Sequence, residues 1–163
     1  MENEYGILYF LVDFKNWDQI LGQITPFHIY INESEDIKGY EYDPHLTLLY
    51  GLHENVKERD VDHIIENIEP FTIKITSISY FEQDTHDVLY LKVDLNNTLK
   101  KYRELAETLP FTSNHSNYNP HITICYMKKG TAKQYATALD ANIVSISSLL
   151  FEDTSLKTYK YNL

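Results

Sequence analysis

Nine residues, Tyr42-Asp43-Pro44-His45-Leu46-Thr47-Leu48-Leu49-Tyr50, return 76 positions later as Tyr118-Asn119-Pro120-His121-Ile122-Thr123-Ile124-Cys125-Tyr126, with five of the nine identical. Repeated supersecondary units usually pack symmetrically, so the duplication predicts two similar lobes related by a pseudo-twofold. Side chains at i and i+2 of a strand face the same way. His45 then points with Thr47 and His121 with Thr123, while Leu46, Leu48, Ile122 and Ile124 face a core. Strict alternation also sends Tyr50 and Tyr126 to the core face and Leu49 and Cys125 to the cleft face. Facing lobes would bring two imidazoles and two hydroxyls together in one cleft.

The rest of the chain supplies elements for such lobes. Tyr5 to Val12 reads as a strand covered on both faces, followed by a helix that Asp13 can cap and that runs through Phe14, Trp17, Ile20, Leu21 and Ile24 to a stop at Pro26. Phe27 to Ile31 reads as a short strand, and Glu33 to Glu41 as a solvated acidic loop. Val61, Ile64, Ile65 and Ile68 form the apolar stripe of a second helix, with His63 toward solvent. Phe71, Ile73 and Ile75 alternate with polar residues in a strand whose hairpin partner is Val88 to Val93. A third helix carries Leu95, Leu99, Tyr102, Ala106 and Leu109. A short helix with Ala132, Tyr135 and Leu139 inward then precedes the last strands, Ile143 to Phe151 and Leu156 to Tyr161. The expected class is α+β: one bilobal domain over residues 1–163, with a concave central antiparallel sheet and helices outside.

Composition narrows the ligand. Fourteen Lys and Arg stand against 24 Asp and Glu, a formal net charge of -10. Affinity for long nucleic acid comes largely from cationic side chains releasing counterions at phosphates, so a phosphate-bearing ligand should be small. The same balance argues against a polybasic membrane contact. Cys125 is the one cysteine, which excludes an internal disulfide framework and a thiol-built zinc site. His28, His53, His63, His86 and His115 show no metal-ligand spacing, so no metal or cofactor is expected. The start Met1-Glu2-Asn3-Glu4 lacks the basic opening of a secretory signal and no run approaches 18 apolar residues, which reads as a cytoplasmic protein.

Cleaving a phosphodiester takes a base for the attacking hydroxyl, an acid for the departing oxygen, and donors for the phosphoryl oxygens. His45 and His121 can fill the first two roles because imidazole titrates near neutrality. Thr47 and Thr123 can fill the third. The two histidines sit in equivalent contexts, so which is base and which is acid stays open at this level.

In these residues the chain resembles the two-histidine (2H, LigT-like) phosphoesterases, whose mark is a His-x-Thr-x motif in each of two lobes, here His45-Leu46-Thr47-Leu48 and His121-Ile122-Thr123-Ile124. Within them it is most similar to the bacteriophage anti-CBASS phosphodiesterases, through Pro44-His45-Leu46-Thr47-Leu48-Leu49-Tyr50-Gly51. The resemblance implies a metal-independent phosphodiesterase that degrades small cyclic oligonucleotides, with His45, Thr47, His121 and Thr123 as catalytic residues. The alternatives are an RNA 2′,3′-cyclic phosphodiesterase of the same superfamily, and a cyclic-nucleotide-binding protein without catalysis.

Further residues complete the expectations. Lys128 offers charge to a phosphate, although a solvated turn is the plainer reading. Glu152 could accept a hydrogen bond from an exocyclic amine of a base. Trp17 reads as core more readily than as a ligand platform. Cys125 lacks a neighbouring base and is a poor nucleophile.

Overall fold

The structure is a computed structural model and describes residues 2–115 and 117–163; Met1, which opens the N-terminal stretch read above, and Ser116 lie outside the described residues. Eight strands form two four-stranded antiparallel sheets. The first has the order β2 (His45–Leu52), β1 (Gly6–Leu11), β7 (Ser148–Glu152), β8 (Thr158–Asn162). The second has the order β5 (His121–Lys128), β4 (His86–Val93), β3 (Phe71–Glu82), β6 (Thr137–Ile146). This is the expected α+β class. Each motif strand lies at the edge of its sheet beside the strand that precedes it by one helix, so β1–α1–β2 and β4–α3–β5 are corresponding units.

The helices follow from local chemistry. In α3 (Asn97–Ala106) the Asn96 side chain accepts the Leu99 amide at 2.8 Å, and Leu99, Tyr102 and Ala106 turn inward at helical spacing. In α2 (Glu58–Ile65) the Asp60 carboxylate accepts the Lys57 amide at 2.8 Å, while Val61 and Ile64 are buried and His63 is exposed. The core joins both sheets through Leu8, Phe10, Leu46, Leu89, Leu91, Ile122 and Phe151, all nearly inaccessible. Truncating Phe10 to alanine there would cost about 3–5 kcal/mol.

Several expectations are corrected. Helix α1 (Trp17–Gly22) starts after Asn16, too far along for Asp13 to cap it. Phe27 to Ile31 is not a strand. Pro26–His28 makes one 3-10 turn, as a proline at the first helical position favours, and Ile29 then forms a single bridge to Met127. The acidic residues Glu33, Glu35 and Asp36 are exposed, as the solvated-loop reading expects, and the end of the segment is tied to β5: Gly39 O accepts the Tyr126 amide at 2.8 Å and the Glu41 amide donates to Ile124 O at 2.9 Å. After β5 only a 3-10 turn forms (Lys133–Tyr135), and Leu139 is exposed on β6 because the segment pairs with β3. Ile143 to Phe151 is two strands in two sheets. The apolar alternation of Val144 and Ile146 breaks at Ser147-Ser148 and resumes one residue out of phase at Leu149 and Phe151, the mark of the crossing that the single-strand reading passed over. Strand β1 is buried on one face only; Ile7, Tyr9 and Leu11 are half-buried on the other.

Candidate active site

The motif strands do not alternate strictly. In β2, Leu8 pairs with Leu49 but Tyr9 with Thr47, leaving Leu48 as an extra residue. In β5, Leu89 pairs with Cys125 but Tyr90 with Thr123, leaving Ile124 extra. Each is a β-bulge, which inverts the facing of everything after it. The alternation-based expectation for the next residues is therefore reversed. Leu49 and Cys125 are fully buried, and burial pushes the Cys125 thiol up to about 12. Tyr50 and Tyr126 return to the cleft face and line the same cavity as the threonines. The sequence held the signal only as a broken apolar period, Leu46-Leu48-Leu49.

The two histidines are held alike. His45 Nδ1 lies 2.9 Å from Asp43 O, and His121 Nδ1 lies 2.8 Å from Asn119 O. A carbonyl can only accept, so each Nδ1 carries a hydrogen and each Nε2 is the free basic nitrogen of the neutral ring. Among the described residues neither Nε2 has a protein partner. The intervening prolines are fixed too: the Val12 amide donates to Pro44 O at 3.1 Å, and the Val93 amide to Pro120 O at 3.2 Å. A tyrosine packs on each imidazole, Tyr9 on His45 and Tyr90 on His121, with ring centres 5.1 and 5.2 Å apart.

Thr47, His121 and Thr123 line a cleft of about 500 Å³ between the lobes. Burial chiefly, and then the nearby charge of His45, lower the His121 pKa below the ordinary imidazole range, while its bond to Asn119 O opposes this. Of the four residues expected to converge, Thr47, His121 and Thr123 line this cleft together, and His45 is not among its lining residues.

The surroundings of the two pairs differ. Phe81 packs edge-on against His121, centres 5.2 Å apart, and stacks on Tyr90 at 4.2 Å. On the other side, Glu152, Asp43 and Glu41 add to burial in raising the Tyr9 hydroxyl pKa, which places carboxylates around the His45 half. Sequence reasoning missed Phe81, Tyr90, Arg103 and Tyr118, all near or lining the cleft. Tyr118 carried a signal, as the repeat partner of Tyr42; Phe81, beside a hairpin turn, carried none.

Of the other candidates, Glu152 is half-buried at the end of β7 beside Ile7. Lys128 is exposed at the end of β5, opposite His86 and outside the cleft lining. Trp17 is buried and its indole N–H donates to Glu41 O at 2.7 Å, so it serves the core and offers no platform to a ligand. Among the described residues no three His, Cys, Asp or Glu side chains converge as a metal site, and no helix is long and apolar enough to cross a membrane.

Comparison with known proteins agrees with this geometry. No curated protein matches the chain. Among solved structures it is similar to Usb1 of Kluyveromyces marxianus, at 10% identity and TM-score 0.63 with 99% of both chains covered. It is also similar to E. coli LigT complexed with 3′-AMP, at 14% identity and TM-score 0.61 over 100% of this chain and 96% of that one. At such identities the likeness is one of fold. A protein described as a phosphoesterase superposes as well, with TM-score 0.57, 15% identity, and coverage of 99% and 96%. Residues 17–146 match the family described as the 2′-5′ RNA ligase superfamily. By that match over most of its length, this chain belongs to the 2′-5′ RNA ligase superfamily, the two-histidine phosphoesterases.

Proposed function

We propose that the protein is a phosphodiesterase that cleaves small cyclic oligonucleotides, cyclic di- or trinucleotides with 3′–5′ linkages, as a bacteriophage would use to remove a CBASS alarm signal. The observation that supports this reading is the pair of His-x-Thr strands whose imidazoles are anchored alike, with Thr47, His121 and Thr123 lining one cleft. Aromatic walls and a volume of about 500 Å³ suit a nucleotide rather than a polymer. The charge of -10 disfavours long RNA, and the structures bound to 3′-AMP and uridine monophosphate show nucleotide-sized ligands on this fold.

His121, whose pKa burial lowers, is the base. Its Nε2 takes the proton of the ribose 2′-hydroxyl as the 2′-oxygen attacks phosphorus. The bond from phosphorus to the 5′-oxygen breaks, and His45 donates the proton that oxygen needs. The hydroxyls of Thr47 and Thr123 donate to the non-bridging oxygens, where charge grows. The product is a 2′,3′-cyclic phosphate, which water opens when the histidines exchange roles. No net redox change occurs.

The test is incubation of the purified protein with cyclic dinucleotides, cyclic trinucleotides and 2′,3′-cyclic mononucleotides in excess EDTA. Turnover of the cyclic oligonucleotides with resistance of the 2′-deoxy linkage is the expected result. Equal cleavage of the deoxy analogue overturns the mechanism. Inhibition by long RNA overturns the substrate class in favour of RNA end-processing, and a ligand bound but recovered intact overturns catalysis.

A further inference from the structure

The bulge in β2 leaves two consecutive carbonyls, those of Thr47 and Leu48, at the open edge of the first sheet. Both are taken by side chains that precede the second motif. Tyr118 Oη donates to Thr47 O at 2.7 Å, and Arg103 Nη1 donates to Leu48 O at 2.6 Å. Arg103 is itself fixed: its Nε donates to Glu107 Oε1 at 2.6 Å, one turn further along α3, and its guanidinium lies 4.7 Å from the centre of the Tyr118 ring. The Arg103 side chain is only 15% exposed, so these bonds are shielded from water. The second bulge is held differently, since Ile124 O accepts the backbone amide of Glu41. Among the described residues no side chain stands there in the place of Arg103.

We propose that Arg103, seated on Tyr118, is a positioning residue for the Thr47 hydroxyl: through Leu48 O it fixes the peptide between Leu48 and Leu49 at the bulge, while Tyr118 holds the adjoining Thr47–Leu48 peptide through Thr47 O. This rests on the phosphodiesterase reading above. A bulge re-aims the side chains beside it, and its extra peptide is the softest part of a strand because it lacks ladder partners. A charge-assisted bond from a planar guanidinium fixes such a peptide in a way that an ammonium on a flexible stem does not. With Nε on Glu107 and Nη1 on Leu48, the guanidinium acts on the ligand through Thr47.

The test combines a spectrum with a kinetic cycle. Threonine methyl groups are labelled with ¹³C in the wild type, in Arg103→Lys and in Tyr118→Phe, and Thr47→Ala assigns the Thr47 resonance by deleting it. The Thr47 methyl should shift in both variants while the Thr123 methyl stays in place. On the turned-over cyclic dinucleotide, Arg103→Lys should lower kcat about ten- to hundredfold with KM unchanged, as a misaimed group does. In a Thr47→Ala background the same change should cost almost nothing further, and in a Thr123→Ala background its full factor. An unmoved Thr47 methyl overturns the proposal. So does an undiminished loss in the Thr47→Ala background, or a rise in KM at constant kcat; either would make Arg103 a direct ligand contact. Should Arg103→Lys not fold, Tyr118→Phe carries both measurements, because it keeps the ring and removes only the donor. If the wild type turns over no phosphodiester, the functional reading fails by itself, and the methyl spectrum still decides the positioning claim.

Discussion

The first and second copies of the motif differ less in their own residues than in what surrounds them. Within the copies the match is close: each His Nδ1 donates to the carbonyl two residues back, each Thr precedes a one-residue bulge, and each Tyr after the bulge returns to the cleft. Outside them, corresponding places hold unlike groups. Counted from the tyrosines that pair with the two threonines, Glu152 in β7 stands where Phe81 stands in β3. Within the copies the leading tyrosines part company too: Tyr42 is exposed, whereas Tyr118 lies over Arg103 and bonds to Thr47 O. A duplicated strand supplies two copies of one chemical group, and the elements packed against it make those groups unequal. The His121 half is aromatic, with Phe81 and Tyr90 against its ring. The His45 half has carboxylates at its border.

The largest expected effect comes from removing what the halves share. His45→Ala and His121→Ala should each lower turnover by ~10²–10⁴, with unchanged far-ultraviolet circular dichroism. The double variant should be little worse than either single one, because base and acid work as a unit. Full activity in either single variant would end the symmetric reading. Thr123→Ala should cost about 10²–10³ in kcat, the scale of one lost donor to a developing charge; steady-state kinetics on the cyclic dinucleotide measures it.

A structural asymmetry comes next. Gly51 has φ of +106°, and a Cβ there would lie 2.0 Å from Thr112 O, whose chain crosses the strand at that point. The corresponding residue of the second copy, Met127, is buried and carries a full side chain. Gly51→Ala should therefore destabilise the fold by about 3 kcal/mol or more, read as a lowered midpoint in urea. Met127→Ala should cost the ordinary ~2–5 kcal/mol of a core truncation without displacing the Thr112 backbone.

Phe81→Ala should raise KM about tenfold if the wall stacks a base, given ~1–3 kcal/mol for such contacts. Glu152→Gln at the corresponding place should lower affinity only for ligands with an exocyclic amine. Equal effects of both on all ligands would make the halves alike after all. The smallest effect is in pH. With its pKa held low by burial, His121 stays neutral as pH falls past ~6.5, so the acidic limb of kcat/KM should lie below that value. Phe81→Ala, by wetting the ring, should move the limb upward. A limb above ~6.5 in the wild type would assign the base to another group.

The duplicated Tyr-x-Pro-His-x-Thr strand was legible in the chain because its chemistry is local. Proline two residues after the repeated tyrosine, histidine and threonine at i and i+2, and apolar residues between them state a strand, its facing and its reactive groups. The helices with strong stripes, such as Leu99, Tyr102 and Ala106, were legible for the same reason. The bulges were written only as a doubled apolar residue, Leu48-Leu49 and Ile124-Cys125, a signal that strict alternation overrode, and the fate of Tyr50 and Cys125 turned on it. The crossing at Ser147 was marked only by a serine pair and a one-residue change of apolar phase, too slight to separate two strands of different sheets. Residue types and their spacing thus determined that two imidazoles and two hydroxyls exist as a matched set. Only the tertiary structure decided that Phe81, Arg103 and Tyr118 stand around one half and Glu152 near the other, because those neighbours come from segments far apart in sequence, and burial and charge depend on distance in space.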